Sequence, residues 1–194
     1  MKYLIDRKCG NRIYRTYDGK AEYLDPFQNE WVPSEISPES SDLDAHDAEM
    51  YERALAIAHR VHGGQKDKGG SDYINHPVTV STFTEGNMTS VISAVLHDVV
   101  EDTETSLEDL RKSGFDDAVI ACVDCVTRRE GERRKDYLRR LSANPDAIRV
   151  KLADLRHNSD LSRIPSVTQR DLDRVANYQR ETAYLRNILD EVER

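Results

Sequence analysis

The run Leu96-His97-Asp98-Val99-Val100-Glu101-Asp102-Thr103 places one imidazole and three carboxylates within a few positions of each other, directly after the apolar stretch Val91, Ile92, Ala94, Val95 and Leu96. Acidic groups drawn toward an apolar interior are costly unless something positive sits among them. A divalent cation suits an adjacent His-Asp pair, because imidazole nitrogen and carboxylate oxygen are both good ligands for first-row metals. Residues i and i+4 share a helix face, so a helix through this run sets Glu101 below His97 and Asp102 below Asp98.

Two further clusters have the same character. In Lys151-Leu152-Ala153-Asp154-Leu155-Arg156-His157-Asn158, Asp154 and Asn158 are again i and i+4. In Tyr73-Ile74-Asn75-His76-Pro77, a histidine stands at the start of a helix. Packing these segments together would gather His76, His97, Asp98 and Asp154 around one ion. Each residue also has a plainer reading. A histidine before proline caps or packs, and Asp154 pairs with Lys151 or Arg156. Three such clusters in apolar context are hard to explain as packing alone. His46, His59 and His62 are bystanders, with His59 and His62 secondary ligand candidates on one helix.

The elements that must position these groups follow from pattern. Tyr3-Leu4-Ile5, Arg12 to Tyr17 and Ala21-Glu22-Tyr23-Leu24 are short β-favouring runs, and Asp18-Gly19 is a strong hairpin signal. Residues 1–33 are therefore expected to form a small antiparallel appendage of two or three strands. So small a sheet is marginal alone, so it should dock on the main domain or on another chain. Residues 34–43 read as a polar linker. From 44 to 194 the pattern is helical, with helices expected at about 44–62, from Pro77, 88–101, 107–112, 115–127, 133–143, 145–155 and 168–193. The fold class is mainly α with a small β appendage.

The chain has 194 residues, a formal net charge of −8, 38% hydrophobic and 33% charged residues. That describes a soluble globular domain without the basic surface of a nucleic-acid binder. No apolar run is long enough for a membrane span, and the N-terminus lacks a signal-peptide core, so a cytoplasmic protein is expected. Three cysteines argue against a disulfide framework, and Cys122-x-x-Cys125 reads as two semi-buried helix thiols. Arg128 to Arg140 carries a run of basic residues. It reads either as a solvated helix with ion pairs or as a phosphate-attracting rim. The residues do not point to an oligomeric state.

The order His76, His97-Asp98, Asp154 resembles the HD superfamily of metal-dependent phosphohydrolases. More narrowly, Tyr73-Ile74-Asn75-His76-Pro77, the run Leu96 to Thr103, and Lys151 to Asp154 with His157-Asn158 resemble the hydrolase domain of the ppGpp alarmone hydrolases, the Rel/Spo family and its small stand-alone members. The similarity covers roughly residues 46–190. It implies an HD-type helical bundle over 44–194 and one Mn²⁺ held by His76, His97, Asp98 and Asp154, although the ligand set alone would also suit other divalent transition metals. It implies that Glu101 and Asp102 position water and handle protons. The implied reaction removes the 3′-pyrophosphate of (p)ppGpp, a small-molecule nucleotide, in a chain without an attached synthetase domain. Lys66, Lys68, Asn158 and Arg133 are the candidate substrate-binding residues. The chain departs from the family at Asp67, where an arginine is usual, at Asp72 in place of proline, and at Asp160-Leu161 in place of Arg-Thr. Two alternatives follow from those departures. One is an HD phosphohydrolase acting on another nucleotide, a nucleotidase or NADPH phosphatase. The other is a non-catalytic, metal-stabilised nucleotide-binding protein.

Overall fold

A computed structural model describes residues 1–34 and 41–194. Five strands form an antiparallel sheet: β1 (Lys2–Asp6), β2 (Arg12–Tyr17), β3 (Lys20–Asp25), β4 (Glu30–Ser34) and β5 (Ser41–Leu43), in the order β4-β3-β2-β1-β5. The Asp18-Gly19 turn adopts the expected geometry, with φ of 48° and 72°, the two left-handed residues a tight hairpin requires.

The sheet is larger than its sequence signals. Trp31 and Pro33 lie in β4, where Pro33 is tolerated because β4 is an edge strand. The end of the expected linker is β5, pairing Tyr3 with Leu43 and Ile5 with Ser41. Ser-Asp-Leu is too short and polar to show alternation. It becomes a strand because β1 offers it an unpaired edge. Residues 35–40 of that linker lie outside the described residues.

The helices are α1 (Ala45–Val61), α2 (Asn75–Phe83), α3 (Met88–Leu96), α4 (Val99–Asp102), α5 (Leu107–Lys112), α6 (Asp117–Val126), α7 (Arg134–Leu141), α8 (Pro145–Asn158) and α9 (Gln169–Val192), with a 3₁₀ turn at Leu161–Arg163. Asp44 caps α1 by accepting from the His46 N–H, and Asn144 caps α8 with Pro145 in the first turn. The helix expected over 88–101 is divided. It stops at Leu96, turns through His97-Asp98 and restarts at Val99.

Two apolar clusters hold the body together. In one, Ile5, Ile13 and Leu24 of the sheet pack with Leu55, Ile92 and Leu96. In the other, Tyr137 and Leu141 pack with Ile148 and Leu185. α3 feeds both and is buried nearly all round, which makes it the central helix. The sheet docks on this chain's own helices. Buried Asn11 donates through Nδ2 to the Ser81 and Thr84 carbonyls, each at 2.9 Å, at the end of α2. Gly10, with φ of 67°, lets the β1–β2 turn approach Thr82 closely. Among the described residues, no helix is long and apolar enough to cross a membrane.

Candidate metal centre and the cavity around it

His76 enters from the first turn of α2, His97 and Asp98 from the α3–α4 break, and Asp154 from the middle of α8. The break matters. Adjacent residues of a continuous helix diverge by about 100°. Here Nε2 of His97 lies 3.0 Å from Oδ2 of its neighbour Asp98. His76 Nε2 lies 3.4 Å from Asp98 Oδ2 and 3.3 Å from Asp154 Oδ1. His97 Nε2 is 3.9 Å from Asp154 Oδ1. One ligand atom each from His76, His97 and Asp154 falls within 4.8 Å of the others. All four groups expected to share an ion are therefore brought together.

The hydrogen bonding leaves the right atoms free. His97 donates Nδ1–H to the Ala94 carbonyl at 2.8 Å, so in the neutral ring a metal would need, Nε2 carries the lone pair. That buried Nε2 meets the Asp98 carboxylate only as an ionic contact and has no hydrogen-bond partner of good geometry. A buried nitrogen with an idle lone pair among carboxylates is what a cation would satisfy. Asp154 is gripped from outside the cluster, accepting at Oδ2 from Lys151 Nζ at 2.6 Å and at Oδ1 from Asn158 Nδ2.

Charge follows this geometry. Burial disfavours an imidazolium at His76, but Asp154 and Asp98 outweigh it and push the pKa up to about 9. His97 is raised against burial by Asp98 and Asp154. Asp98 and Asp154 sit far below the usual carboxylate range despite burial, Asp98 because of the two histidines and Asp154 because of Lys151 and the same rings. Without a metal, the cluster balances its carboxylates with protons.

Two residues beside the cluster stand in the motifs quoted above but were given no role there. His157 Nδ1 lies 2.6 Å from His76 Nδ1, with the rings stacked at 18°. Burial and the charge of His76 hold His157 down to about 4, so it is neutral and its Nδ1 accepts. The signal was its spacing: His157 follows Asp154 by three residues and so shares its helix face. Tyr73 donates its hydroxyl to Asp98 Oδ2 at 2.6 Å and lies 3.2 Å from Asp102 Oδ2. Burial and neighbouring Asp98 raise the pKa of Asp102, while the Tyr73 hydroxyl works against that rise.

The cluster lies in a cavity of about 430 Å³. Lys66, Lys68, Glu101 and Asn158 line it, with Arg128, Arg134, Lys151, Arg163 and Arg174. Glu101 Oε2 accepts the Arg128 backbone N–H at 2.8 Å. Asp102 is not part of the wall and reaches the site through Tyr73. Lys66 pairs with Asp72 at 2.6 Å, and Lys68 with buried Asp171 at 2.9 Å.

Arg133 departs from expectation. It precedes α7, its side chain is 83% exposed, and it pairs with Asp136 away from the cavity. The next residue, Arg134, faces the cavity and forks onto Glu181. One step along a helix start rotates the side chain by about 100°, which charge composition does not register. The basic run thus divides, with Arg128 and Arg134 on the wall and Arg129, Arg133 and Arg140 in ion pairs outside it. Cys122 is buried in α6, Cys125 is half-buried, and both are free thiols.

Residues 54–183 match the model of a family described as HD domain. The chain belongs to the HD domain family. Members use a divalent metal, and the His76-His97-Asp154 cluster of this HD domain has the corresponding donors. The HD domain is 40% identical over 119 residues to a GTP pyrophosphokinase of Streptomyces coelicolor, an overlap of 55% of this chain and 14% of that protein. It is 36% identical over 129 residues to the guanosine-3′,5′-bis(diphosphate) 3′-pyrophosphohydrolase MESH1 of Mus musculus, covering 60% of this chain and 71% of that protein. The resemblance to alarmone hydrolases therefore stands. A solved structure described as "A metazoan ortholog of SpoT hydrolyzes ppGpp and plays a role in starvation responses" superposes with a TM-score of 0.58 and 28% identity. That match covers 78% of this chain and 96% of the other. The chain spans only about a seventh of the first curated relatives it matches.

Proposed function

We propose that this HD domain removes the 3′-pyrophosphate of (p)ppGpp, using a divalent ion, manganese, held by His76, His97, Asp98 and Asp154. The single observation that carries the reading is the convergence of two imidazole Nε2 atoms and two carboxylates at the floor of a cavity with a basic wall. The mouse relative named for this reaction, of which 71% is covered, supports the choice of substrate.

A divalent ion at this position would promote ionisation of water and offset phosphoryl charge. The chain's own groups supply the rest. The Arg128 N–H holds Glu101 by one oxygen, leaving the other to orient an attacking water. Water adds oxygen to the proximal 3′-phosphorus, the bond to the ribose 3′-oxygen breaks, and a proton passes to that oxygen as pyrophosphate leaves. Asp102 acts on Asp98 through Tyr73, fixing the ligand's orientation. Lys66, Lys68 and Asn158 line the cavity and would meet an anionic nucleotide there. The volume is of the size usual for small-molecule sites.

The test is a nucleotide panel assayed with and without Mn²⁺. The reading expects pyrophosphate released from ppGpp only when the metal is present. Orthophosphate released from NADPH or a mononucleotide, with ppGpp untouched, would replace it with a phosphatase. Tight nucleotide binding without turnover would make the protein a sensor.

A further inference from the structure

Most cations on the cavity wall are already committed. Lys68 is bound to buried Asp171, Arg134 forks onto Glu181, and Lys151 holds Asp154. Arg163 differs. It closes the 3₁₀ turn Leu161–Arg163, and with Ile164 it forms part of the cavity wall. Its Nη1 reaches Asp67 Oδ2 at 3.3 Å, longer than a usual charge-assisted hydrogen bond. Its Nη2 donates to the His157 carbonyl at 3.1 Å. Its Nε–H is buried and has no partner among the described residues. A buried, unsatisfied guanidinium donor is costly, and an anionic oxygen is its natural acceptor.

The loop opposite is built to admit this residue. Asp67 N–H donates to the Ser71 carbonyl and Asp67 Oδ1 accepts the Ser71 N–H, both at 2.9 Å, which tightens residues 67–71 into a hairpin. At its tip, a Cβ on Gly69 would lie 2.4 Å from the Arg163 carbonyl oxygen, so only glycine permits this approach. Asp67 thus folds its own loop with one oxygen and steers Arg163 with the other.

We propose that Arg163 is a substrate-binding residue, receiving a phosphate oxygen of the nucleotide on the donor it leaves unpaired, with Asp67 as its guide. This rests on the reading of the cavity as a nucleotide site. It makes the 161–164 turn, as well as the lysine loop, a determinant of how the substrate is held.

The test uses the metal-loaded full chain, with ppGpp for turnover and GDP as the binding probe. Arg163→Ala should raise KM and weaken GDP binding about tenfold, with kcat within about twofold. Asp67→Asn keeps an acceptor for Ser71 and weakens the pull on Arg163, so it should raise KM and weaken GDP binding by a smaller factor than Arg163→Ala does. Thermal melting of each variant separates binding loss from unfolding. Equal losses in Arg163→Ala and Asp67→Asn would make the pair a structural latch and overturn the proposal, as would an unchanged Arg163→Ala. Arg163-dependent GDP binding without ppGpp turnover would keep the proposal and remove the pyrophosphohydrolase reading. A wild-type chain that neither binds GDP nor turns over ppGpp would overturn both.

Discussion

The Nδ1 atoms of His76 and His157 lie 2.6 Å apart, and the two rings are nearly parallel. One must donate and the other accept. The neutral ring is His157, so His76 gives up its Nδ1–H and turns Nε2 toward Asp98 and Asp154. Outer partners of this kind fix both tautomer and ring orientation. His157→Ala should weaken Mn²⁺ binding about 10- to 100-fold, read by calorimetry on folded protein. An unchanged affinity would show that His76 needs no such guide.

The raised pKa of His76 predicts a pH dependence with a definite sign. Its folded value, about 9, exceeds the ordinary 6.5. In metal-free protein the stabilisation from its charged pairing is fully present below pH 6.5 and is lost as pH rises through 9. Metal binding runs the other way, because the ligand must be neutral and its proton is released. Mn²⁺ affinity should climb from pH 6.5 and level off above about 9. A flat profile across that interval would contradict the charge assignment.

Metal binding and turnover should separate by residue. Asp98→Ala removes a proposed ligand and should abolish both. Glu101→Gln should retain the ion and lose turnover by roughly 10²- to 10⁴-fold, the scale of a positioned proton-handling group. Full activity in Glu101→Gln would remove Glu101 from the mechanism.

The division of the basic run gives a paired comparison. Lys68→Glu reverses a charge on the cavity wall and should raise KM for ppGpp by about tenfold or more. Arg133→Glu lies outside it and should leave KM within about twofold. Steady-state kinetics on both variants decides the matter.

The sheet's anchorage is open to a stability test. Asn11→Ala removes two buried hydrogen bonds, leaving the Ser81 carbonyl with the Thr84 N–H and the Thr84 carbonyl without its Asn11 donor. A loss of about 1–3 kcal/mol is expected from denaturant unfolding.

The helical body was legible because its apolar periodicity is strong and its ends carry caps such as Asp44 and Asn144. His76, His97, Asp98 and Asp154 could be named because each is a ligand-type residue in apolar surroundings. Other features were set by tertiary contact. β5 exists because β1 has a free edge, which Ser-Asp-Leu does not announce. The stop at Leu96 is invisible in a run that suits a continuous helix, yet it is what lets neighbouring His97 and Asp98 point the same way. Arg133 and Arg134 are indistinguishable by composition and face different directions. Arg163 drew no notice because the loop residue it meets, Asp67, lies 96 positions earlier in the chain.

The grip of Asn11 on the last turn of α2 has a consequence for dissection of the chain. That helix carries His76 at its other end. Cutting away the leading strands would bare the Ser81 and Thr84 carbonyls and take Ile5, Ile13 and Leu24 out of the apolar cluster they share with the helices. The amino-terminal sheet is thus a buttress for the helix that mounts His76 of the candidate metal centre, and a fragment begun at α1 would lose rigidity there.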